Sequence, residues 1–321
     1  MNKTELQNLI LAISKEYQII APQRIDGVLK VAPVTDLKNI DWSAEMPVNS
    51  FKQWLIPAEE RLFGISGGNL KEETRVWPKF SLVGINVLDL KALALWEQVF
   101  SKDKYYQERR RRTLIVGLGT GAPEEFKKYK VFTHNWEENF LEHLVFDIFL
   151  MARVNDGYDL YSGSEKGQLF LEKRGAKKYQ HVEFAGPIAE EGQDKRMLLL
   201  KKKVDQSFDQ PIWEELGKTC IACGKCSIVC PTCFCFDLED KNDVNNTGRV
   251  RKWGNCFYND FSLVAGGHKS LDTAKQKIYF WYTHKFVRIP KEYGLPGCVS
   301  CNRCSNVCPV GIKINEVLKN L

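Results

Sequence analysis

The apolar positions near the start of the chain follow first a helical and then a strand spacing. Within residues 4–17 they recur every three or four positions on one face, which predicts an amphipathic helix. Residues 18–33 hold two apolar runs on either side of a turn at 24–27, which predicts a β-hairpin. The apolar face of the predicted helix consists of Leu6, Leu9, Ile10 and Ile13.

A strand, a helix and a second strand are predicted in the middle of the chain. Residues 80–85 and 113–117 are short apolar runs, and residues 88–100 between them have helical periodicity. A strand that returns through a helix to another strand indicates a parallel pair. Two further strands, at residues 130–133 and 168–171, would complete a small α/β domain.

Cysteine usage divides the chain into two parts. The first two thirds contain no cysteine, and all 11 cysteines follow. We therefore predict an α+β protein with an α/β docking domain at residues 1–190, a linker at 191–212 and a metal-binding domain at 213–321. Helical spacing at residues 213–216 and 271–286 predicts that the second domain is mainly helical.

The charge pattern does not require a nucleic-acid partner. The formal net charge is +6, but the basic runs at residues 109–112 and 201–203 are short. We interpret them as solvated faces or protein contacts and expect no nucleic acid. The chain begins without the apolar region of a secretion signal, and no long uninterrupted apolar stretch follows. A cytoplasmic protein without a membrane span is therefore expected, in which thiols stay reduced.

One cysteine pattern occurs twice in the last third of the chain. Three cysteines separated by two residues each are followed, after three more residues, by Cys-Pro. This is the spacing of bacterial two-cluster ferredoxins, in which three thiolates hold one cubane and the fourth reaches the other cubane. Structural zinc is the alternative, but zinc sites use paired cysteines and have no role for the third cysteine or the Cys-Pro. The predicted ligands are Cys220, Cys223, Cys226 and Cys308 for the first [4Fe-4S] cluster and Cys298, Cys301, Cys304 and Cys230 for the second.

The segment between the two motifs contains further thiols. Residues 231–297 form an insertion far longer than a minimal two-cluster ferredoxin needs. Its cysteines could hold a third iron–sulfur centre with an aspartate or histidine as the fourth ligand, or they could be buried, inert thiols. The candidate residues for a third centre are Cys233, Cys235, Cys256, Asp237 and His268.

A glycine-rich phrase follows the predicted strand at residues 113–117. Residues 117–122 fit a loose form of the dinucleotide fingerprint, but the phrase runs directly into Pro123 and two glutamates. We therefore interpret it as a turn at the end of a strand. No activated serine, Cys–His pair or carboxylate dyad stands out, so the sequence indicates no reaction centre of its own.

Several phrases around the cysteines are specific enough to indicate a family. They begin at Cys220, Cys230, Arg249, Ala265 and Cys298, and read Cys-Ile-Ala-Cys-Gly-Lys-Cys, Cys-Pro-Thr-Cys-Phe-Cys-Phe-Asp, Arg-Val-Arg-Lys-Trp, Ala-Gly-Gly-His and Cys-Val-Ser-Cys-Asn-Arg-Cys. This part of the chain resembles the beta subunit of soluble NAD(P)-linked nickel–iron hydrogenases, the sulfhydrogenases. It also resembles the related iron–sulfur subunit of anaerobic sulfite reductase.

The resemblance implies an electron-transfer component of an oxidoreductase complex. Such a component relays electrons between an NAD(P)/FAD flavoprotein subunit and a terminal module. A hydrogenase is the first candidate for that module, and an anaerobic sulfite reductase is the second. Exposed cubanes would favour an anaerobic host. We expect backbone N–H groups, burial and the cations Lys225, Arg303 and Lys313 to tune the potentials. The alternatives are a self-contained flavin- or nucleotide-binding iron–sulfur reductase, or a binding module whose clusters are structural.

Overall fold

A computed structural model describes residues 1–43, 45–66, 69–72, 76–119, 140–153, 157–176, 178–187, 195–243 and 246–321. The helices are α1 (Lys3–Ser14), α2 (Lys52–Leu55), α3 (Val87–Val99), α4 (Lys104–Arg112), α5 (Glu165–Glu172), α6 (Lys195–Asp205), α7 (Pro211–Thr219), α8 (Lys225–Ile228), α9 (Ala274–Thr283), α10 (Ile289–Tyr293), α11 (Arg303–Asn306) and α12 (Ile314–Lys319), with a π-helical turn at His284–Arg288. The strands are β1 (Gln18–Ile25), β2 (Val28–Pro33), β3 (Glu59–Ser66), β4 (Asn69–Glu72), β5 (Phe80–Asn86), β6 (Leu114–Gly119), β7 (Ile148–Arg153), β8 (Gly157–Ser162), β9 (Gln180–His181), β10 (Phe236–Asp243) and β11 (Asn246–Trp253).

The predicted first helix and hairpin are confirmed. Helix α1 begins at a capping box, in which the Asn2 side chain and the Glu5 side chain bond each other's backbone N–H groups. Strands β1 and β2 pair antiparallel, with Asp26 and Gly27 at φ values of 51° and 74° in the turn. Two successive left-handed residues give a turn whose twist matches that of the strands.

The first sheet has seven strands in the order β2-β1-β5-β6-β7-β8-β9. The predicted strand–helix–strand unit is confirmed. Strands β5 and β6 pair in parallel, and the chain between them forms α3 and then α4. The predicted strand at residues 168–171 is wrong: the segment lies in α5, where the Ser164 side chain caps the first turn and Phe170 and Leu171 face the core. The predicted strand at residues 130–133 lies outside the described residues.

The second sheet contains strands from both halves of the chain. Its order is β10-β11-β3-β4, so that the hairpin β10–β11 of the inserted segment extends the hairpin β3–β4. Gly248 permits the approach, since a Cβ atom there would lie 2.2 Å from the Phe63 carbonyl oxygen. The domain division at residue 190 stays a prediction from composition, and this sheet crosses it.

A buried ion-pair cluster lies beside the second sheet. Glu60 in β3 accepts hydrogen bonds from Arg109 in α4, with Nη1 to Oε2 at 2.5 Å, and from Arg251 in β11. The three side chains are at most 5% exposed. The interpretation of residues 109–112 as a solvated face or partner contact is therefore wrong for Arg109, which pairs within the chain.

The C-terminal helices surround the cysteine loops. Helices α7 and α9 pack together, and Trp213 of α7 contacts the rings of Tyr279 and Tyr282 at centroid distances of 5.3 and 5.2 Å. Within the described residues, no helix is both long and apolar enough to cross a membrane. The mainly helical character predicted for this part is borne out, apart from the hairpin β10–β11.

Candidate metal centre

The two copies of the cysteine motif have the same backbone conformation. In each copy the residues two and four positions after the first cysteine are left-handed: Ala222 and Gly224 at φ values of 53° and 72°, and Ser300 and Asn302 at 57° and 62°. In each copy the N–H group two positions on donates to the sulfur of the first cysteine, at 3.4 Å for both Cys220 and Cys298. Left-handed residues turn the backbone N–H groups inward, so both loops curl around their sulfurs.

The fourth cysteine of each motif lies beside the loop of the other copy. Burial raises the pKa of Cys301 to about 12, and the negative charge of Cys230 adds to this rise. Burial likewise raises the pKa of Cys220, with contributions from Cys223 and from Cys308. Each fourth thiol is thus an electrostatic neighbour of the other loop, as in the crossed arrangement of a two-cluster ferredoxin.

A small cavity lies where the two loops approach each other. It encloses about 60 Å³ and is lined by Cys220, Cys223, Cys226, Cys304 and Cys308. Trp281 and Tyr282, from the aromatic stretch after Leu271, also line the cavity.

The residues around this cavity fit an iron–sulfur core. Burial raises the pKa of Cys226 to about 12, so this soft ligand becomes a thiolate when a metal compensates its charge. Trp281 lines the cavity, and its buried indole nitrogen has no hydrogen-bond partner among the described residues. Within the described part of the chain, no three Cys, His, Asp or Glu side chains converge as ligands of a single ion would. The irons of a cubane occupy separate corners and hold their ligands farther apart.

Lys285 is the residue that sequence reasoning missed most clearly. It is 2% exposed, and its Nζ atom lies 3.1 Å from Cys230 Sγ and 3.3 Å from Cys233 Sγ. Burial alone would lower the pKa of Lys285, but the negative charges of Cys230, Cys233 and Cys298 raise it well above the usual value. The signal for it in the sequence is a lysine on the same predicted helical face as Ile278 and Trp281.

The pKa of Cys230 is lowered, whereas the pKa values of two neighbouring thiols are raised, that of Cys233 by its hydrogen bond with Cys230 and by burial, and that of Cys298 by burial. A hydrogen bond with Cys233 holds the pKa of Cys230 well below the usual value, and the Lys285 ammonium lowers it further, although burial acts in the opposite direction. A lowered pKa favours the thiolate, which is the form that binds iron.

The three spare cysteines lie near one another, but His268 does not join them. Burial raises the pKa of Cys256 to about 12, and the charge of Cys235 contributes to this rise. The charge of Cys235 also contributes to the raised pKa of Cys233. Asp237 lies against Gly254, two residues before Cys256, since a Cβ atom on Gly254 would be 2.9 Å from Asp237 Oδ2. His268 is exposed on the turn closed by the bridge between Leu263 and Lys269.

The N-terminal half supplies a second buried lysine to this region. Lys52 in α2 is 8% exposed, and its Nζ atom lies 4.1 Å from the ring centroid of Trp253. Burial lowers its pKa, while the charges of Cys233, Cys230 and Cys235 oppose that shift. The spare thiols therefore have two buried lysines as electrostatic neighbours.

The second motif is fixed to the N-terminal half by a buried ion pair. Arg303, one position before Cys304, donates to both oxygens of Asp89 in α3, at 2.6 and 2.8 Å, and to the Pro47 carbonyl at 2.8 Å. Val299 of the same loop packs against Leu88 and Ala92. The cysteine-free half therefore positions the loop of the second motif directly.

The glycine-rich phrase after residue 116 has a packing role in its described part. Gly117 and Gly119 lie in β6, and a Cβ atom on Gly117 would be 2.5 Å from a ring carbon of Phe149. The glycines permit this close approach. Residues 120–122 of the phrase lie outside the described residues.

Comparison with known proteins identifies the class of this site. Residues 219–312 match the family model of the 4Fe-4S dicluster domain, which spans both motifs and the segment between them. The chain carries iron–sulfur clusters of the [4Fe-4S] type.

A curated relative extends the likeness to nearly the whole chain. Sulfhydrogenase 2 subunit beta of Pyrococcus furiosus is 26% identical over an alignment that covers 94% of this chain and 91% of the relative. No solved structure matches the chain. Together, the dicluster domain and this relative identify an iron–sulfur electron-transfer protein that is similar to a sulfhydrogenase beta subunit.

Proposed function

We propose that this protein is the electron-relay subunit of a cytoplasmic NAD(P)-linked nickel–iron hydrogenase complex. It would pass single electrons between the hydrogenase module and an NAD(P)/FAD flavoprotein subunit. The observation that carries this proposal is the pair of matching cysteine loops, each with its fourth cysteine beside the other loop. The likeness to a sulfhydrogenase subunit favours a hydrogenase over a sulfite reductase as the terminal module.

The proposed ligands follow the crossed arrangement. Cys220, Cys223, Cys226 and Cys308 would hold the outer cluster, and Cys298, Cys301, Cys304 and Cys230 the inner cluster. A cubane, when bound, accepts and releases one electron at a time. Trp281 and Tyr282 limit the access of water to the cavity, and the loop amides donate to the ligand sulfurs.

One edge of the outer loop is open to a redox partner. Cys223 is exposed, and the side chain of Ile221 beside it is 63% exposed. The inner loop instead packs on α3 of the N-terminal half. A partner that exchanges electrons with this protein would therefore approach at Cys223.

This function is tested first by the cluster content of the isolated protein. Anaerobically purified chain should contain at least about eight irons and eight acid-labile sulfides, because each of the two cubanes holds four of each. Electron paramagnetic resonance after reduction with dithionite should show two interacting clusters. Stoichiometric flavin in the purified protein would instead favour the self-contained reductase, and clusters that resist reduction would favour a structural role.

A third iron–sulfur centre is proposed at the spare cysteines. Cys233, Cys235 and Cys256 with Asp237 are the donor set that geometry favours, and the exposed His268 is the less suitable fourth ligand. The buried lysines nearby would offset part of its negative charge.

We expect Cys256→Ala to lower the iron content below that of the unaltered protein while preserving both cubane signals. The physical reason is that Cys256 belongs to neither motif, so its loss removes only a ligand of the third centre. Iron analysis and electron paramagnetic resonance of the same sample measure both quantities. Ser262→Ala, in the loop between Cys256 and α9, is a matched control that should change neither. Unchanged iron in Cys256→Ala would leave these thiols as buried packing groups.

A further inference from the structure

One buried lysine in the C-terminal half has sulfur rather than a carboxylate as its partner. The ammonium of Lys285 contacts Cys230 Sγ, Cys233 Sγ and Thr232 Oγ1 at 3.1 to 3.3 Å and donates to the Gly297 carbonyl at 3.3 Å. No carboxylate pairs with it among the described residues. Because a buried charge requires compensation, the sulfur ligand Cys230 that contacts Lys285 is placed to compensate its charge.

The two fourth cysteines differ in this one respect. Cys308 Sγ accepts a backbone N–H group from Ile312 at 3.3 Å, whereas Cys230 Sγ receives a full positive charge at 3.1 Å. The loops are otherwise matched in their left-handed residues and in the N–H bond to the first sulfur. Within the described residues, the pseudo-symmetry of the two motifs is therefore broken by an ammonium in direct contact with one fourth cysteine and not with the other.

The local backbone is built to bring Lys285 to this place. The residue lies in the π-helical turn His284–Arg288, and such turns are frequent at functional sites. Gly297, just before the second motif, approaches the turn so closely that a Cβ atom would lie 2.4 Å from the Lys285 carbonyl oxygen. The Trp281 ring covers the ammonium at 5.0 Å.

We propose that Lys285 sets the order of the two cluster potentials, placing the inner cluster, held in part by Cys230, above the outer cluster. Reduction adds negative charge at the sulfur ligands, so a cation in a buried, low-dielectric position stabilises the reduced state and raises the potential. An electron taken up at the exposed Cys223 edge would then move inward, toward the loop that packs on α3. This inference rests on the ligand assignment proposed above.

The test is a redox titration of the complete, cluster-loaded chain, followed by electron paramagnetic resonance. Lys285→Met replaces the ammonium with an apolar side chain of similar length. We expect the equilibrium constant for reduction of the inner cluster to fall by a factor of about ten or more. For a one-electron couple, each factor of ten lowers the reduction potential by about 59 mV. The outer cluster should shift less. The inner signal is assigned as the one that Cys301→Ala removes.

Lys277→Met is the matched control. Lys277 is 3% exposed, but its ammonium donates to the Phe257 carbonyl at 3.1 Å and to Asn259 Oδ1 at 2.8 Å rather than to sulfur. Its loss should move either potential less than Lys285→Met moves the inner one. Lys285→Gln keeps an N–H donor without the charge and should give an intermediate shift.

The outcomes separate this inference from the proposed function. Full iron content with unchanged potentials in Lys285→Met would overturn the inference and leave the relay intact. Loss of the inner cluster in both Lys285→Met and Lys285→Gln would assign the lysine to holding the cluster rather than to tuning it. An unaltered protein without cubanes would overturn the proposed function itself.

Discussion

Alanine at Cys230 is expected to remove the same iron–sulfur signal as alanine at Cys301, although Cys230 follows the first motif in sequence. Cys308→Ala should in turn remove the same signal as Cys223→Ala. The reason is geometric: Cys308 lines one cavity with the cysteines of the first motif, and Thr232, two residues after Cys230, donates to the Gly297 carbonyl next to the second motif at 2.7 Å. Iron content and electron paramagnetic resonance of the four variants measure the pairing.

Either pair of variants should also abolish electron transfer through the assembled complex. A relay with one cluster missing has a gap that the remaining cluster does not bridge. Thr219→Ala is a suitable control, because Thr219 directly precedes the first motif and, within the described part of the chain, its hydroxyl donates to the Glu215 carbonyl at 3.1 Å rather than to a sulfur. If Cys230→Ala removed the same signal as Cys223→Ala, each motif would hold its own cluster and the crossed assignment would be wrong. The pair Cys223→Ala and Cys308→Ala keeps the test decisive if the loss of Cys230 leaves Lys285 without a counter-charge and prevents folding.

Alanine at Asp89 is expected to destabilise the protein by about 3–5 kcal/mol, the usual cost of leaving a buried charge unpaired. Both side chains of the pair are at most 2% exposed, and Arg303 has two hydrogen bonds to this carboxylate. The loss would act where the second motif packs on α3. Urea unfolding of the cluster-loaded protein measures the change in the free energy of unfolding.

The matched control is Glu214→Ala, which breaks an exposed ion pair with Lys275. In that pair Nζ and Oε2 are 3.1 Å apart, and the side chains are 36% and 55% exposed. Exposed pairs contribute about 0–1 kcal/mol, so the control should be nearly silent. Equal effects of the two substitutions would show that the buried pair does not stabilise the contact between the halves.

The cysteine ligands and the local elements could be predicted because their signals are local. The spacing of the motif, the helical periodicity before Tyr17 and the paired strands around α3 each depend on residues near one another in sequence. The prediction of a strand at residues 168–171 is wrong because a short apolar run is compatible with a strand or a helix. The Ser164 side chain caps the first turn and favours the helix that the structure shows.

The electrostatic surroundings of the site could not be predicted in the same way. The sequence suggested Lys225, Arg303 and Lys313 as tuning cations, since they lie within or next to the motifs. In the structure Lys313 pairs with Glu316 and Lys225 is exposed. Arg303 pairs with Asp89, and its charge also opposes the rise that burial causes in the pKa of Cys301, so this one suggested cation does act on a proposed cluster ligand. Lys285 contacts Cys230 from 55 residues away, and only the fold brings them together.

The pairing of β3 with β11 affects how the chain can be synthesised and divided. Glu60 and Arg251 are 191 residues apart, so this sheet forms only after most of the chain has left the ribosome. Until then β3 has a free edge of unpaired backbone groups, which is a template for association with other chains. A fragment ending at residue 190 would keep that edge permanently, and truncation there would favour aggregation.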